Sequence, residues 1–169
     1  DDIEVSAKTL KEWLNILEAS FIIFRLPPYF ENFGKRLVKT PKIYFTEVGL
    51  AAWLIGIKSA DMVSRDPLIG NLFENMVIVE ALKSRYNTGK DAGLYFFRDS
   101  HGMEIDLLQS SGRKLYPFEI KAARTYSREF AKNIKIFSKL NDKTADGCVI
   151  YSGEQEQKVE EVELVNFTS

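Results

Sequence analysis

Residues 94–121, "LYFFRDSHGMEIDLLQSSGRKLYPFEIK", contain three apolar segments separated by two short polar connectors. The connectors "DSHG" and "SSGR" are typical of hairpin turns, so the stretch predicts three consecutive antiparallel strands. Residues two apart in a strand share a face. We therefore expect Met103, Ile105 and Leu107 on one face, Glu104 with Asp106 on the other, and Glu119 on the same face as Lys121. Because adjacent strands pair, we expect Asp106 to lie close to Glu119 and Lys121. Charged side chains in apolar strands are costly unless they are paired or exposed.

The flanking sequence predicts a mixed α/β domain around these strands. "IGNLFENMVIVEALKSRYN" predicts a long helix that is apolar on most of its circumference, and residues 127–140 predict a second helix with an apolar stripe. "GCVIYS" predicts a buried strand, while "KVEEVELVNF" alternates as an edge strand does. The predicted order is therefore helix, three strands, helix, strand, strand.

The N-terminal third predicts a separate, smaller unit. "SAKTLKEWLNILEAS" has the apolar spacing of an amphipathic helix, with Ser6 as its cap. "FIIFRL" and "KIYF" predict two strands on either side of a basic loop, and "TEVGLAAWLIGI" predicts a short helix. This order is typical of the rear half of a winged helix, with the loop as its wing. The polar stretch at 58–67 predicts the boundary, so we assign residues 1–60 to a partial winged helix and 61–169 to the second domain.

Composition excludes several classes of function. The net charge is −1 and the pI is near 6.0, so nucleic acid would have to bind a local patch and not a global basic field. The Gly-Lys pairs in "FGKRL" and "TGKDA" lack the earlier glycine of a P-loop, because Tyr29 and Ser84 stand there, so we predict no ATPase site. No apolar run approaches a membrane span and no signal peptide opens the chain, so we expect a cytoplasmic protein without membrane contact.

The predicted cluster on the second and third strands suits metal-dependent hydrolysis. Two converging carboxylates, Asp106 and Glu119, are ligands that Mg²⁺ or Mn²⁺ prefers, because these ions take oxygen donors. Lys121 would hold a phosphate or orient the attacking water. A cation bound there would polarise a phosphodiester and lower the pKa of that water.

This Asp…Glu-x-Lys arrangement resembles the PD-(D/E)XK nuclease superfamily. Its restriction-endonuclease-like core is a mixed sheet flanked by helices, in the order helix, three strands, helix, strand, and the resemblance covers about residues 68–152. It implies catalytic roles for Asp106, Glu119 and Lys121, with Ile105 standing where the motif name has proline.

The resemblance also implies an acid on the preceding helix, where "GNLFENMVIVE" offers two candidates. Archaeal Holliday-junction resolvases of the superfamily have a similar G-x-x-x-E opening, which favours Glu74 as the third metal ligand. Glu80 is the second candidate. On a helical wheel Glu80 falls between Ile69 and Phe73, so we expect it inside the apolar stripe, paired or functional.

Several motifs together resemble the C-terminal half of an archaeal-type AAA+ ATPase family: "KTPKIYFTEVGLAAWLIGI", "GNLFENMVIVEALK", "LYFFRDSHGMEIDLL" and "PFEIKAARTYS". In that family a P-loop ATPase domain precedes a winged helix and a nuclease-like domain. The resemblance implies an N-terminal ATPase domain as partner in the parent chain, with ATP acting only through that domain. The opening "DDIEV" agrees with the expectation of a fragment.

The leading function is therefore Mg²⁺-dependent hydrolysis of DNA phosphodiesters. We expect nucleic acid, DNA more than RNA, to contact a set of basic side chains: Arg98, Arg124, Arg128 and Lys132. A solvated helix face or strand end would explain the same residues. The alternative function is a non-catalytic regulatory module that binds nucleic acid or a protein for the ATPase, and the near-neutral charge favours it.

Overall fold

The computed structural model describes residues 5–30, 38–159 and 161–168, and it has a mixed α/β architecture. A six-stranded sheet has helices on both faces, and a separate two-stranded sheet precedes it. The helices are α1 Ala7–Ala19, α2 Val48–Leu54, α3 Ala60–Val63, α4 Ile69–Asn87 and α5 Lys132–Leu140. The strands are β1 Ile23–Leu26, β2 Lys42–Phe45, β3 Leu94–Arg98, β4 Glu104–Ser111, β5 Lys114–Lys121, β6 Gly147–Tyr151, β7 Gln157–Val159 and β8 Val162–Asn166.

The large sheet has the strand order β3-β4-β5-β6-β8-β7. As predicted, β3, β4 and β5 are consecutive and antiparallel. Strand β6 then runs parallel to β5, and β8 runs parallel to β6. The predicted helix over 127–140 begins as a 3-10 turn at Arg128–Ala131 and continues as α5.

The prediction of a single edge strand at the C-terminal end is wrong. The segment forms two antiparallel strands, and β8 lies inside the sheet between β6 and β7. Val162 and Leu164 are each only 1% exposed, because the apolar face of β8 packs beneath α5. The alternation that suggested an edge strand is the pattern of an inner strand with one covered face.

A bulge interrupts the alternation of β4. Ile105 pairs with Phe97 and Leu108 pairs with Tyr95, so two residues of β4 stand opposite a single residue of β3. As a result Ile105 and Leu108 pack in the core on the α5 face, whereas Leu107 packs on the α4 face. The expectation that Ile105 and Leu107 share a face is therefore wrong. Bulges re-aim side chains and are common beside active sites.

Two apolar cores hold the helices to the sheet. On one face, Phe73 and Ile78 of α4 belong to the same buried core as Leu94 of β3. On the other face, Ile134 and Phe137 of α5 are at most 1% exposed. Fully burying a side chain of this size stabilises the fold by about 1.5–3 kcal/mol, so both helices are firmly placed.

The N-terminal unit is built onto the same core. Ser6 caps α1 as predicted, and its Oγ accepts the Thr9 N–H at 3.1 Å. Leu26 of β1 and Tyr44 of β2 belong to the core on the α4 face. Tyr29 N–H donates to Phe96 O at 2.7 Å, which ties the chain after β1 to β3. These contacts place β2 beside α4, where it reaches the candidate site.

Neither the winged-helix assignment nor the division at residue 60 is tested by these contacts, and both stay predictions. The basic residues expected in the wing include Lys35 and Arg36, which lie outside the described residues. No helix in the described ranges is both long enough and apolar enough to cross a membrane.

Candidate active site

Charged side chains from β2, α4 and three strands of the large sheet line one cavity of about 560 Å³. Four of them are carboxylates: Glu74, Glu104, Asp106 and Glu119. Three are cations: Lys42, Arg98 and Lys121. Opposite charges attract each other more strongly in a partly enclosed cavity than in bulk water, because the effective dielectric constant is lower there.

The three residues that the strand pattern predicted to meet do meet. The pairing of Leu107 with Phe118 sets the register that places Asp106 beside Glu119. Lys121 Nζ lies 2.9 Å from Asp106 Oδ2 and 2.7 Å from Glu119 Oε2. Asp106 Oδ2 also accepts the backbone N–H of Ile120 at 2.9 Å. The ammonium group therefore joins the two carboxylates across the β4–β5 pair.

Glu119 is the most enclosed acid of the cavity, at 2% exposed. Its Oε1 atom is buried and has no hydrogen-bond partner within the described part of the chain. Burial, and next the charge of Asp106, raise the pKa of Glu119 from 4.5 to about 8. A buried, ionised carboxylate oxygen without a hydrogen-bond donor destabilises the fold. A proton or a bound cation at this atom would remove that cost.

Lys121 remains a cation at neutral pH. Burial acts to lower its pKa, but the charges of Asp106 and Glu119 outweigh burial, and the net pKa lies above the ordinary value. The side chain can therefore donate hydrogen bonds to an anion, but it is a poor general base.

Glu74, the favoured helix acid, also faces the cavity. Its Oε1 atom accepts hydrogen bonds from Lys42 Nζ at 2.8 Å and from the Tyr44 hydroxyl at 2.5 Å. Burial, followed by the charge of Glu74, raises the pKa of Tyr44 above its ordinary value. The hydroxyl therefore stays protonated and donates a hydrogen bond to Glu74. Both donors hold the same oxygen and orient the Glu74 carboxylate from the β2 side.

Glu80, the second helix candidate, lies elsewhere. Its side chain is 66% exposed, and its carboxylate pairs with Lys83 at 3.1 Å. The expectation that Glu80 lies inside the apolar stripe is wrong, because a helical wheel gives direction around the axis but not position along it. Phe73 packs against Phe167 with ring centroids 5.3 Å apart. Glu80 lies roughly 10 Å further along the helix, where its side chain reaches solvent.

Three further residues line the cavity although they were not predicted to belong to the site: Glu104, Lys42 and Tyr44. Glu104 carried a usable signal, because it shares a strand face with Asp106 at a spacing of two. Lys42 and Tyr44 carried none, since only the packing of β2 against α4 brings them there. Asn75 secures that packing: its side chain bonds the backbone N–H and C=O of Phe45 at 2.9 and 2.7 Å.

The basic residues expected to contact nucleic acid fall into two groups. Arg98 lines the cavity and pairs with Glu104. Arg124, Arg128 and Lys132 are exposed and do not line it. Lys132 nevertheless begins α5 directly before Asn133, a residue of the cavity wall. The role of these side chains in nucleic-acid binding stays a prediction.

Within the described ranges, no three acid, histidine or cysteine side chains are grouped as a ready metal site. Ammonium and guanidinium groups stand among the carboxylates instead, as the contacts of Lys121 and Lys42 show. The donor chemistry still fits a hard divalent cation, since every acid offers oxygen and no described residue donates a hydrogen bond to Glu119 Oε1.

A family model described as "Domain of unknown function (DUF4143)" matches residues 69–169, more than half of the chain. The chain belongs to the DUF4143 family. A second model, "Domain of unknown function (DUF8612)", matches residues 1–61. The DUF4143 match contains α4, all six strands of the large sheet and α5, and therefore every predicted metal ligand.

Two curated relatives of this DUF4143 chain are uncharacterized proteins of Mycobacterium bovis and Mycobacterium tuberculosis. Each is 31% identical over 153 residues, which is 90% of this chain and 33% of the relative. The chain thus spans about a third of the length of the curated relatives it matches. No solved structure matches it.

Proposed function

We propose that this DUF4143 domain has a restriction-endonuclease-like fold and hydrolyses DNA phosphodiesters at the acidic cavity with the help of Mg²⁺ or Mn²⁺. One observation carries the proposal: Asp106, Glu119 and Lys121 converge on adjacent strands, with Glu74 on the same cavity. The buried Glu119 Oε1 atom, which lacks a donor in the described chain, adds a position for a cation.

The topology supports the fold assignment. Helix α4 is followed by the antiparallel strands β3, β4 and β5, then by α5, and then by β6 parallel to β5. This is the order and strand direction expected of the restriction-endonuclease-like core. The carboxylates lie on the central β4–β5 pair, where that fold has its catalytic acids.

The side chains have distinct roles in this proposal. Asp106 and Glu119 would hold the cation, and Glu74 would act as a third ligand oriented by Lys42 and Tyr44. When bound, the cation would polarise the phosphodiester and lower the pKa of the attacking water. Lys121 stays protonated and would donate a hydrogen bond to a phosphate oxygen. To admit the cation, the Lys121 ammonium must move away from one carboxylate.

The substrate and the parent chain complete the proposal. Arg98 at the cavity, with Arg124, Arg128 and Lys132 outside it, would contact the DNA backbone. The relatives are about three times as long as this chain, which leaves room for an N-terminal AAA+ ATPase domain as partner. ATP would act only through that domain.

Calorimetric titration of Mn²⁺ and Mg²⁺ tests the site directly. We expect saturable binding that Asp106→Asn and Glu119→Gln each abolish. Glu80→Gln is the matched control, because this acid lies on α4 but outside the cavity, and it should leave binding unchanged. A folded protein that binds neither cation, with or without duplex DNA, and cleaves no DNA in their presence would refute the proposal.

A second candidate function is a non-catalytic module that binds nucleic acid or a protein for the ATPase. The observation that favours it is the absence, within the described ranges, of a ready group of three metal ligands, since lysines stand between the acids. Under this alternative the ion pairs are structural, and divalent cations would change neither binding nor stability.

A further inference from the structure

Glu104 is held from two sides by cations that come from different elements. Its Oε1 atom lies 2.5 Å from Lys42 Nζ, on β2. Its Oε2 atom lies 2.6 Å from Nε and 2.5 Å from a terminal nitrogen of Arg98, at the end of β3. One carboxylate thus receives three contacts from two cations, although a single cation would neutralise its charge.

Lys42 has contacts that hold it in place without Glu104. Lys42 Nζ also binds Glu74 at 2.8 Å and stands 5.6 Å from the centre of the Phe96 ring. Asn75 fixes the end of the same strand through the backbone of Phe45.

The site is open to solvent on the arginine side. The Arg98 side chain is 42% exposed, while the Glu104 and Lys42 side chains are 20% and 19% exposed. A guanidinium binds carboxylates and phosphates through the same fork of N–H donors, and a lysine ammonium accepts either anion. An approaching phosphate would therefore meet the fork that Glu104 now occupies.

We propose that Lys42 and Arg98 form a phosphate-binding pair, and that Glu104 occupies this pair until a nucleic-acid phosphate displaces it. The ligand class rests on the proposed function. Glu104 is two residues from Asp106 on β4, so a phosphate held by the pair would lie beside the acids of the cavity. The phosphate site would therefore combine two sheets, because Lys42 comes from the β1–β2 pair and Arg98 from the large sheet.

Oligonucleotide binding without any metal tests this proposal. The probe is a fluorescein-labelled oligothymidylate of roughly ten nucleotides, followed by fluorescence anisotropy in the presence of EDTA. We expect Glu104→Gln to tighten binding by roughly tenfold, because it removes a competing negative charge while keeping the shape. Lys42→Met added to Glu104→Gln should cancel the gain, and Glu80→Gln, the exposed control, should produce none.

Inorganic phosphate should compete with the oligonucleotide more effectively in Glu104→Gln than in the native chain. For that variant, the logarithm of the binding constant should also fall more steeply with the logarithm of the salt concentration. The difference in slope should correspond to about one additional phosphate contact. Arg98→Lys keeps the charge but removes the fork, and we expect it to weaken binding in both backgrounds.

A well-folded Glu104→Gln chain with unchanged or weaker binding would overturn the proposal. If that variant unfolds, the test uses single substitutions in the chain that keeps Glu104. Lys42→Met and Arg98→Lys should then each bind the oligonucleotide more weakly than Glu80→Gln does. Equal affinities would overturn the proposal. Failure here differs from failure of the proposed function, because the latter is read from cation binding and cleavage, which this metal-free assay does not use.

Discussion

The substitution Glu119→Gln gives the sharpest prediction, because it removes one proton-binding group and keeps the shape of the side chain. In the folded protein, burial and then Asp106 raise the pKa of Glu119 from 4.5 to about 8. Between these values the folded chain holds a proton that the unfolded chain has lost. The native protein therefore loses stability as pH rises through this window, and no further loss follows above it.

The magnitude follows from the two pKa values. At about 1.4 kcal/mol per pH unit, the difference between 4.5 and about 8 sets an upper limit of about 5 kcal/mol. The Lys121 ammonium, whose Nζ lies 2.7 Å from Glu119 Oε2, acts to lower this pKa, and its effect is already contained in the value of about 8. Local relaxation and water entry reduce the cost of an ionised buried group, so we expect about 2–4 kcal/mol in practice.

Urea unfolding at about pH 5 and about pH 8.5 measures this effect. Near pH 5 the variant and the native chain should have similar stability, because glutamine resembles the neutral acid. Near pH 8.5 the variant should be more stable by the amount given above. Glu80→Gln, an exposed position, should show no such change. A Glu119→Gln difference that is the same at both pH values, or that reverses sign, would refute the assignment of Glu119 as a buried neutral acid.

Two further predictions address the framework and the metal. Asn75→Ala removes both hydrogen bonds to the backbone of Phe45 and should lower the free energy of unfolding by about 2–4 kcal/mol in urea. The exposed Asn71→Ala is the control, and an equal loss there would contradict this role. Mn²⁺ affinity should rise up to about tenfold per unit between about pH 6 and 8, because binding displaces the Glu119 proton. Calorimetric affinities that do not vary with pH would argue against Glu119 as a ligand.

Much of the candidate site followed from spacing along the chain. The turns in 94–121 predicted the antiparallel order of β3, β4 and β5, and the two-residue period predicted that Asp106, Glu119 and Lys121 would meet. The bounds of α4 and the cap of α1 also matched their sequence signals. These features depend on turn residues, caps and side-chain periodicity, which act over only a few positions.

Other features required long-range packing. Whether Glu74 or Glu80 reaches the cavity depends on which part of α4 the sheet and β2 cover. The helical period predicts only the direction of a side chain around the axis, so it could not predict this. Likewise, the alternation in the last strands could not say that β8 lies inside the sheet.

By itself the sequence determined the order of α4, β3, β4, β5, α5 and β6 in the DUF4143 domain and the meeting of its central acids, because short-range geometry controls both. Only the tertiary structure decided which side chains hold the two other acids of the cavity, Glu74 and Glu104. Lys42 and Tyr44 contact Glu74 across 32 and 30 positions of sequence. Such contacts exist because Leu26 and Tyr44 are buried in the core beside α4, and that burial is a property of the whole fold.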